Sequence, residues 1–288
     1  MKNVNRSAVK QRLRSYKKHP FSAVLAMLTI LSAVITAGIL VFLIGYILVK
    51  GIPNIKLDLF KWEYSARNVS MTPAIINTII ITALSLVISV PLGVGSAIYL
   101  TEYAKRGNKI VKIVRITAET LAGIPSIVYG LFGFLLFVVT CGWGFSIISG
   151  AMTLAVMVLP LIMRTTEEAI RSVPDSYREG SYGLGAGRLR TVMKIVVPSA
   201  MPGILSGIIL SIGRIVGETA ALIFTAGTVA KVPASVMSSG RTLAVHMYAL
   251  LSEGLYTKQA YATAVVLLVL VIFVNWLSSY AARAVSKR

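Results

Sequence analysis

Apolar residues run along this chain in six long blocks with few charges inside them, and polar residues gather between the blocks. The blocks cover Phe21–Val49, Thr72–Leu100, Ile116–Thr140, Ile147–Met163, Ser199–Thr225 and Ala260–Tyr280. Each has about the 17 to 25 residues, or slightly more, that an α-helix needs to cross a hydrocarbon core. Backbone amides cannot find water there, so the crossing segments must close their hydrogen bonds internally as helices. The pattern therefore predicts an all-α integral membrane protein with six transmembrane helices. The first block follows a basic tail over 1–20, and its apolar run of about 29 residues exceeds the ~7 to 15-residue apolar core of a cleavable signal. It is expected to persist as a tilted helix over 21–49. Pro91, Pro125, Pro160 and Pro202 fall inside the blocks, where proline can kink a span. No internal repeat or separate soluble domain is visible, and 72–283 reads as one membrane-embedded core.

Charge sets the orientation. The chain of 288 residues carries 29 Lys and Arg against ten Asp and Glu. The basic residues concentrate in the N-terminal tail, Thr101–Arg115, Arg164–Pro198 and the C-terminal tail, which together hold 21 of them against seven in the alternate loops. By the positive-inside rule both termini face the cytoplasm, N-in/C-in. These short basic blocks between spans, without a basic stripe interleaved with aromatics, exclude a nucleic-acid partner. Phe60, Trp62 and Tyr64 in the first external loop suit an interfacial segment. The single cysteine, Cys141, allows neither an intrachain disulfide nor a thiolate cluster. His19 and His246, the only histidines, stand apart without carboxylates at ligand spacing, so no metal site is expected.

Between the fourth and fifth blocks lies the polar stretch "RTTEEAIRSVPDSYREGSYGLGAGRLRTVMKIVVP", 164–198. Thr165 or Thr166 suits the N-cap of a helix with Glu167 and Glu168 in its first turn. Pro174 ends that helix, and Asp175 or Ser176 caps a second. Gly183, Gly185 and Gly187 end the second helix. The expected product is a short exposed cytoplasmic helix in which small Gly180 and Ser181, flanked by Tyr177 and Leu184, suit a partner's groove. A solvated re-entry loop is the plainer reading.

The fifth block contains "GRIVGETAALIFTAG", with Arg214 and Glu218 four residues apart and therefore on one helical face. Charges inside a span are costly and face a bundle interior or a wet path. Two readings stand: an ion pair locking helices together, or an oxyanion site in which the guanidinium fork grips paired oxygens and Glu218 accepts a proton-bearing one. Gly203 with Gly207, and Gly213 with Gly217, place small residues at four-residue spacing for close helix contact.

Glu179, Gly180, Ser181 and Gly185, followed by "IVVP" at Ile195–Pro198, resemble the EAA loop of ABC-importer permeases, with Gly180, Ser181 and Val197 departing in identity but not in character. In that family the loop forms the coupling helix seated on a cytoplasmic ATPase, which assigns Tyr177, Glu179, Gly180, Ser181 and Gly185 to ATPase coupling. "AETLAGIPSIVYGLFG", "RIVGETAALIFTAG", "SSGRTLAVHMYALLSEG" and "AYATAVVLLVLVIFVN" are similar to segments of the phosphate-specific members. The resemblance implies the six-helix MetI-like type I importer permease fold. It also implies a second permease as heterodimeric partner, two ATPase subunits, an external phosphate-binding protein, and phosphate as the cargo, with Arg214 and Glu218 in its path. ATP and magnesium would belong to the ATPase, since the chain has no GxxxxGK[ST] loop, and no cofactor or covalent chemistry is expected of this chain. An importer for molybdate or sulfate, a gradient-driven transporter and a membrane-embedded enzyme are the competing classes.

Overall fold

The computed structural model describes residues 20–105 and 107–286, with side chains from 21 to 280; the basic tail, Pro20 apart, and His19 lie outside the described residues. The described chain is helical and falls into two compact units, one ending at Lys50 and one beginning at Gly51. The first is a single helix, α1 (Pro20–Gly51). Its side chains are apolar on every face and almost all exposed, the composition of a helix whose solvent is lipid.

The second unit is built from α2 (Thr72–Ile98), α3 (Lys109–Ala122), α4 (Ser126–Gly133), α5 (Ile147–Arg171), α6 (Asp175–Gly183), α7 (Arg188–Thr191), α8 (Val197–Val216), α9 (Ala220–Ile223), α10 (Leu243–Ser252) and α11 (Thr257–Ser286). Wider π-type turns continue α2 to Tyr103, α4 to Thr140 and join α7 to α8. At the centre stands α5, packed against α2 on one side and α8 on another. Its buried Leu154, Met157, Val158 and Ile162 meet Ile81, Tyr129, Ile215 and Leu222. Bare backbone lets the helices approach: a Cβ on Gly203 of α8 would lie 2.6 Å from that of Ala169 on α5, and one on Gly207 would overlap Thr165. The second small pair does not act this way, because Gly213 faces Asn275 of α11 and Gly217 is the exposed residue that ends α8.

Four of the six expected spans match single long helices, and two are corrected. The third is not one helix over 116–140: α3 and α4 meet at a 105° bend. Pro125, which has no N–H to continue a helix, follows Gly123 at the corner, and the Tyr129 hydroxyl donates across the bend to the Leu121 carbonyl at 2.9 Å. The basic, amphipathic Lys109–Ala122 stretch thus leaves the axis of the span. Pro91, Pro160 and Pro202 instead lie within continuous helices. The fifth span begins earlier and ends earlier than Ser199–Thr225: helical turns run from Arg188 to Val216, and a separate turn, α9, follows. Nor do Thr165 or Thr166 start a helix. Helix α5 runs through them to Arg171, and the Thr165 hydroxyl bonds back to the Leu161 carbonyl at 2.9 Å.

Candidate functional site

Two regions carry the polar chemistry of the second unit. At one end, α6 forms where the polar stretch predicts a short helix, with Pro174 before it and Asp175 in its first turn. Gly185 (φ +80°) supplies the left-handed residue of its closing turn, and the amide of Ala186 returns to the Ser181 carbonyl at 3.1 Å. Tyr177, Glu179 and Gly180 are exposed, and Leu184 is 90% exposed. Nothing lies within 4 Å of a Cβ built on Gly180 or Gly183. The outward side of α6 therefore sets bare backbone at Gly180 and Gly183 beside the exposed Tyr177 and Leu184. Ser181 does not belong to it: its hydroxyl is buried 2.8 Å from that of Thr191 in α7, within the chain.

What holds α6 in place was not visible in the pattern. Arg178 points inward and donates to Glu102 through Nη2 at 2.7 Å and Nε at 3.2 Å, to the carbonyls of Val173 (2.9 Å) and Ile170 (3.1 Å), and to Asp175 (3.1 Å). Its hydrogen bond to Glu102 raises an already high pKa, so the Arg178 guanidinium stays charged. Arg188 of α7 bonds the Glu102 carbonyl and lies over the Tyr103 ring, 5.2 Å from its centroid. A second tie joins Arg115 of α3 to Glu167 of α5 at 2.8 Å, with Arg171 on the same carboxylate at 2.5 Å. Glu102 is the lone acid of the basic Thr101–Arg115 stretch, the one signal that pointed to it. These ties border a cavity of about 1040 Å³ lined by Lys105, Lys109, Lys112 and Arg115 among others.

The other region surrounds Arg214. It lies in the last turn of α8, where its cation complements the helix dipole. Glu218 falls beyond the helix end, so the two do not share a helical face, and no ion pair joins them among the described residues. The Glu218 side chain is buried and one carboxylate oxygen accepts the amides of Thr219 and Ala221, each at 3.1 Å. It serves as the cap of the corner leading into α9. That corner is held by close contact: a Cβ on Gly130 of α4 would lie 2.8 Å from the Ala221 Cα, and one on Gly150 of α5 would lie 2.9 Å from the Ala226 Cβ.

Arg214 itself makes neither an ion pair nor a hydrogen bond among the described residues. It is half-buried in the wall of an open pocket of about 610 Å³ lined by Leu161, Ser206, Ile209, Leu210, Gly213, Arg214 and Asn275. An apolar wall with a few convergent polar groups is the usual make-up of a ligand site. Asn275, the only asparagine in the last apolar block, went unnoticed in the sequence pattern; only the packing of α11 on α8 brings it to Arg214.

Comparison with known proteins agrees with this architecture. Residues 89–287 match the family described as the binding-protein-dependent transport system inner membrane component. A probable ABC transporter permease, YqgI of Bacillus subtilis, is 39% identical over 78% of this chain and 81% of its own length. The phosphate transport system permease PstA of Haemophilus influenzae is 33% identical over 75% and 77%. PstA 1 of Mycobacterium tuberculosis is 40% identical over 58% of this chain and 56% of its own. In structure, a chain of the inward-facing MetNI methionine ABC transporter superposes with a TM-score of 0.57 at 21% identity, covering 75% of this chain and 94% of that one. This fold, this match and these relatives make the chain a multi-pass ABC importer permease with the MetI-like fold, a member of the family of inner membrane components of binding-protein-dependent transport systems.

Proposed function

We propose that this chain is the permease subunit through which an ATP-driven importer moves inorganic phosphate, with Arg214 as the residue that meets the anion. The observation that carries the reading is an arginine with no counter-ion among the described residues, in an apolar pocket of a membrane protein. A guanidinium there is costly unless a charge of opposite sign visits it, and its fork suits two oxygens of one tetrahedral oxyanion. Relatives named for phosphate transport support phosphate as that oxyanion. Glu218 contributes by fixing the corner after α8, which sets where Arg214 points.

The pocket opens along the face shared by α5, α8 and α11, the face a second permease would close. An external binding protein delivers the phosphate, and two ATPase subunits supply the work. The termini and α6 lie on the cytoplasmic side, as the basic loops require. On that side Tyr177, Glu179, Gly180 and the turn at Gly185 present the exposed part of α6 to the ATPase, with Ser181 and Thr191 bracing it from behind. The rigid ties of Arg178 and Arg188 to Glu102 would pass motion of α6 into α2. ATP and magnesium remain with the ATPase, and this chain performs no covalent chemistry.

Binding-protein-dependent phosphate uptake by the assembled complex tests the reading. Arg214→Ala is expected to abolish uptake while the complex still assembles, and uptake at the wild-type rate would refute the anion site. Uptake of sulfate or molybdate in place of phosphate by the unmodified complex would redirect the substrate.

A further inference from the structure

Asn275 sits in an apolar helix beside Arg214 and has no hydrogen-bond partner among the described residues. Its Oδ1 is buried and unsatisfied. Both polar atoms of its carboxamide lie 3.9 Å from the position a Cβ on Gly213 would take, which places the amide against the turn that carries Arg214. An amide with neither donor nor acceptor engaged is expensive inside a membrane bundle. Helix–helix bonding, the ordinary reason for a polar residue in a span, is not made by Asn275 among the described residues.

We infer that Asn275 is a second substrate-contacting residue of the Arg214 pocket, and that its carboxamide selects an oxyanion carrying a proton. The inference rests on the anion site proposed above and adds the specificity to it. Arg214 supplies donors only, so it holds any tetrahedral oxyanion by its unprotonated oxygens. The Asn275 carboxamide offers both kinds of partner: its N–H donates to a further oxygen, and rotation of the amide turns the buried Oδ1 into the pocket, where it accepts from a P–OH group. Inorganic phosphate near neutral pH carries at least one such hydroxyl, whereas sulfate carries none and would leave Oδ1 unpaired. The acceptor role that the spacing of Arg214 and Glu218 suggests for Glu218 passes to Asn275, because Asn275 lines the pocket with Arg214 whereas Glu218 holds the corner beyond α8 through the amides of Thr219 and Ala221.

The test uses the complete transporter with its binding protein, in proteoliposomes, with phosphate as the probe. Asn275→Leu keeps the branched shape and removes both partners, and is expected to lower the uptake rate tenfold or more while the complex assembles. Asn275→Asp keeps an acceptor and adds a negative charge that disfavours the dianion, so its uptake optimum is expected to move to lower pH, toward the monoanion. A pH profile of Asn275→Asp at the wild-type position overturns the inference even if Asn275→Leu fails to assemble. Uptake within twofold of wild type in Asn275→Leu overturns it as well. Arg214→Ala separates the two claims: if that variant transports normally the pocket is not the anion site, whereas its loss of uptake beside an indifferent Asn275 removes only the role given to the asparagine.

Discussion

Replacing Arg178 by alanine isolates the clamp that seats α6. In the native protein the Arg178 side chain is 15% exposed and Glu102 7%, so the pair is nearly out of water. Deleting one partner of such a pair strands the other charge, at a typical cost of about 3 to 5 kcal/mol. The Asp175 bond adds little, because that carboxylate is 79% exposed. The cavity bordering Glu102 and Arg178 lets water reach the stranded carboxylate, which puts the expected cost near ~3 kcal/mol. Since ~1.4 kcal/mol is a factor of ten, local opening of α6 and its flanking turns should become roughly a hundredfold more frequent. Hydrogen exchange at the amides of 176–191 in the assembled transporter reads this directly, and α5 should keep its protection. Arg178→Lys retains the charge but loses the fork, so it should fall between. In a double-mutant cycle with Glu102→Gln, the combined loss should be smaller than the sum of the single losses. Unchanged exchange over 176–191 in Arg178→Ala, or additive losses in the cycle, would refute the claim that Glu102 and Arg178 act as one clamp.

Other expectations address separate parts of the chain. Gly180→Ala should leave the fold intact or stabilise it by about 0.5–1 kcal/mol, since its Cβ meets nothing. Glu179→Lys should keep the melting temperature but weaken the ATPase response to loaded binding protein, and normal coupling there would count against α6 as the docking helix. Gly203→Leu should destabilise the complex by about 1–3 kcal/mol through overpacking against Ala169, read as a lowered melting temperature. His246 of α10, buried beside Tyr64 and Arg241, has its pKa pushed down to about 3, first by burial and then by the Arg241 charge. A histidine that binds its proton more readily when unfolded contributes full stability above pH ~6.5 and loses it as pH falls toward 3. Melting temperatures taken from pH 7.5 to 5 should therefore fall with acidification, and His246→Leu should flatten that slope.

Much of the fold was legible in the chain because the length of an apolar run is a local property. A helix that must cross about 30 Å of hydrocarbon announces itself whatever its neighbours do, and α1, α2, α5 and α11 follow the blocks that predicted them. The short helix α6 was legible for the same kind of reason: proline and glycine act on their own turns. The third and fifth blocks were misread because apolar length says nothing about direction. The 105° turn between α3 and α4 needed the basic side of α3 to find Glu167, and the end of α8 needed α4 and α5 to receive α9.

The sequence by itself determined how many apolar crossings the protein has to offer, which loops are rich in positive charge, and where a short exposed helix is set between breakers. Tertiary structure alone decided the rest. It turned the four-residue spacing of Arg214 and Glu218 from a helical pair into an unpaired cation and a cap, drew Glu102 to Arg178 across 76 positions, and set Asn275 against Gly213. Helix periodicity relates residues a turn or two apart, whereas the partner of a charge or an amide within the bundle is chosen by which helices pack together and how closely their glycines let them approach.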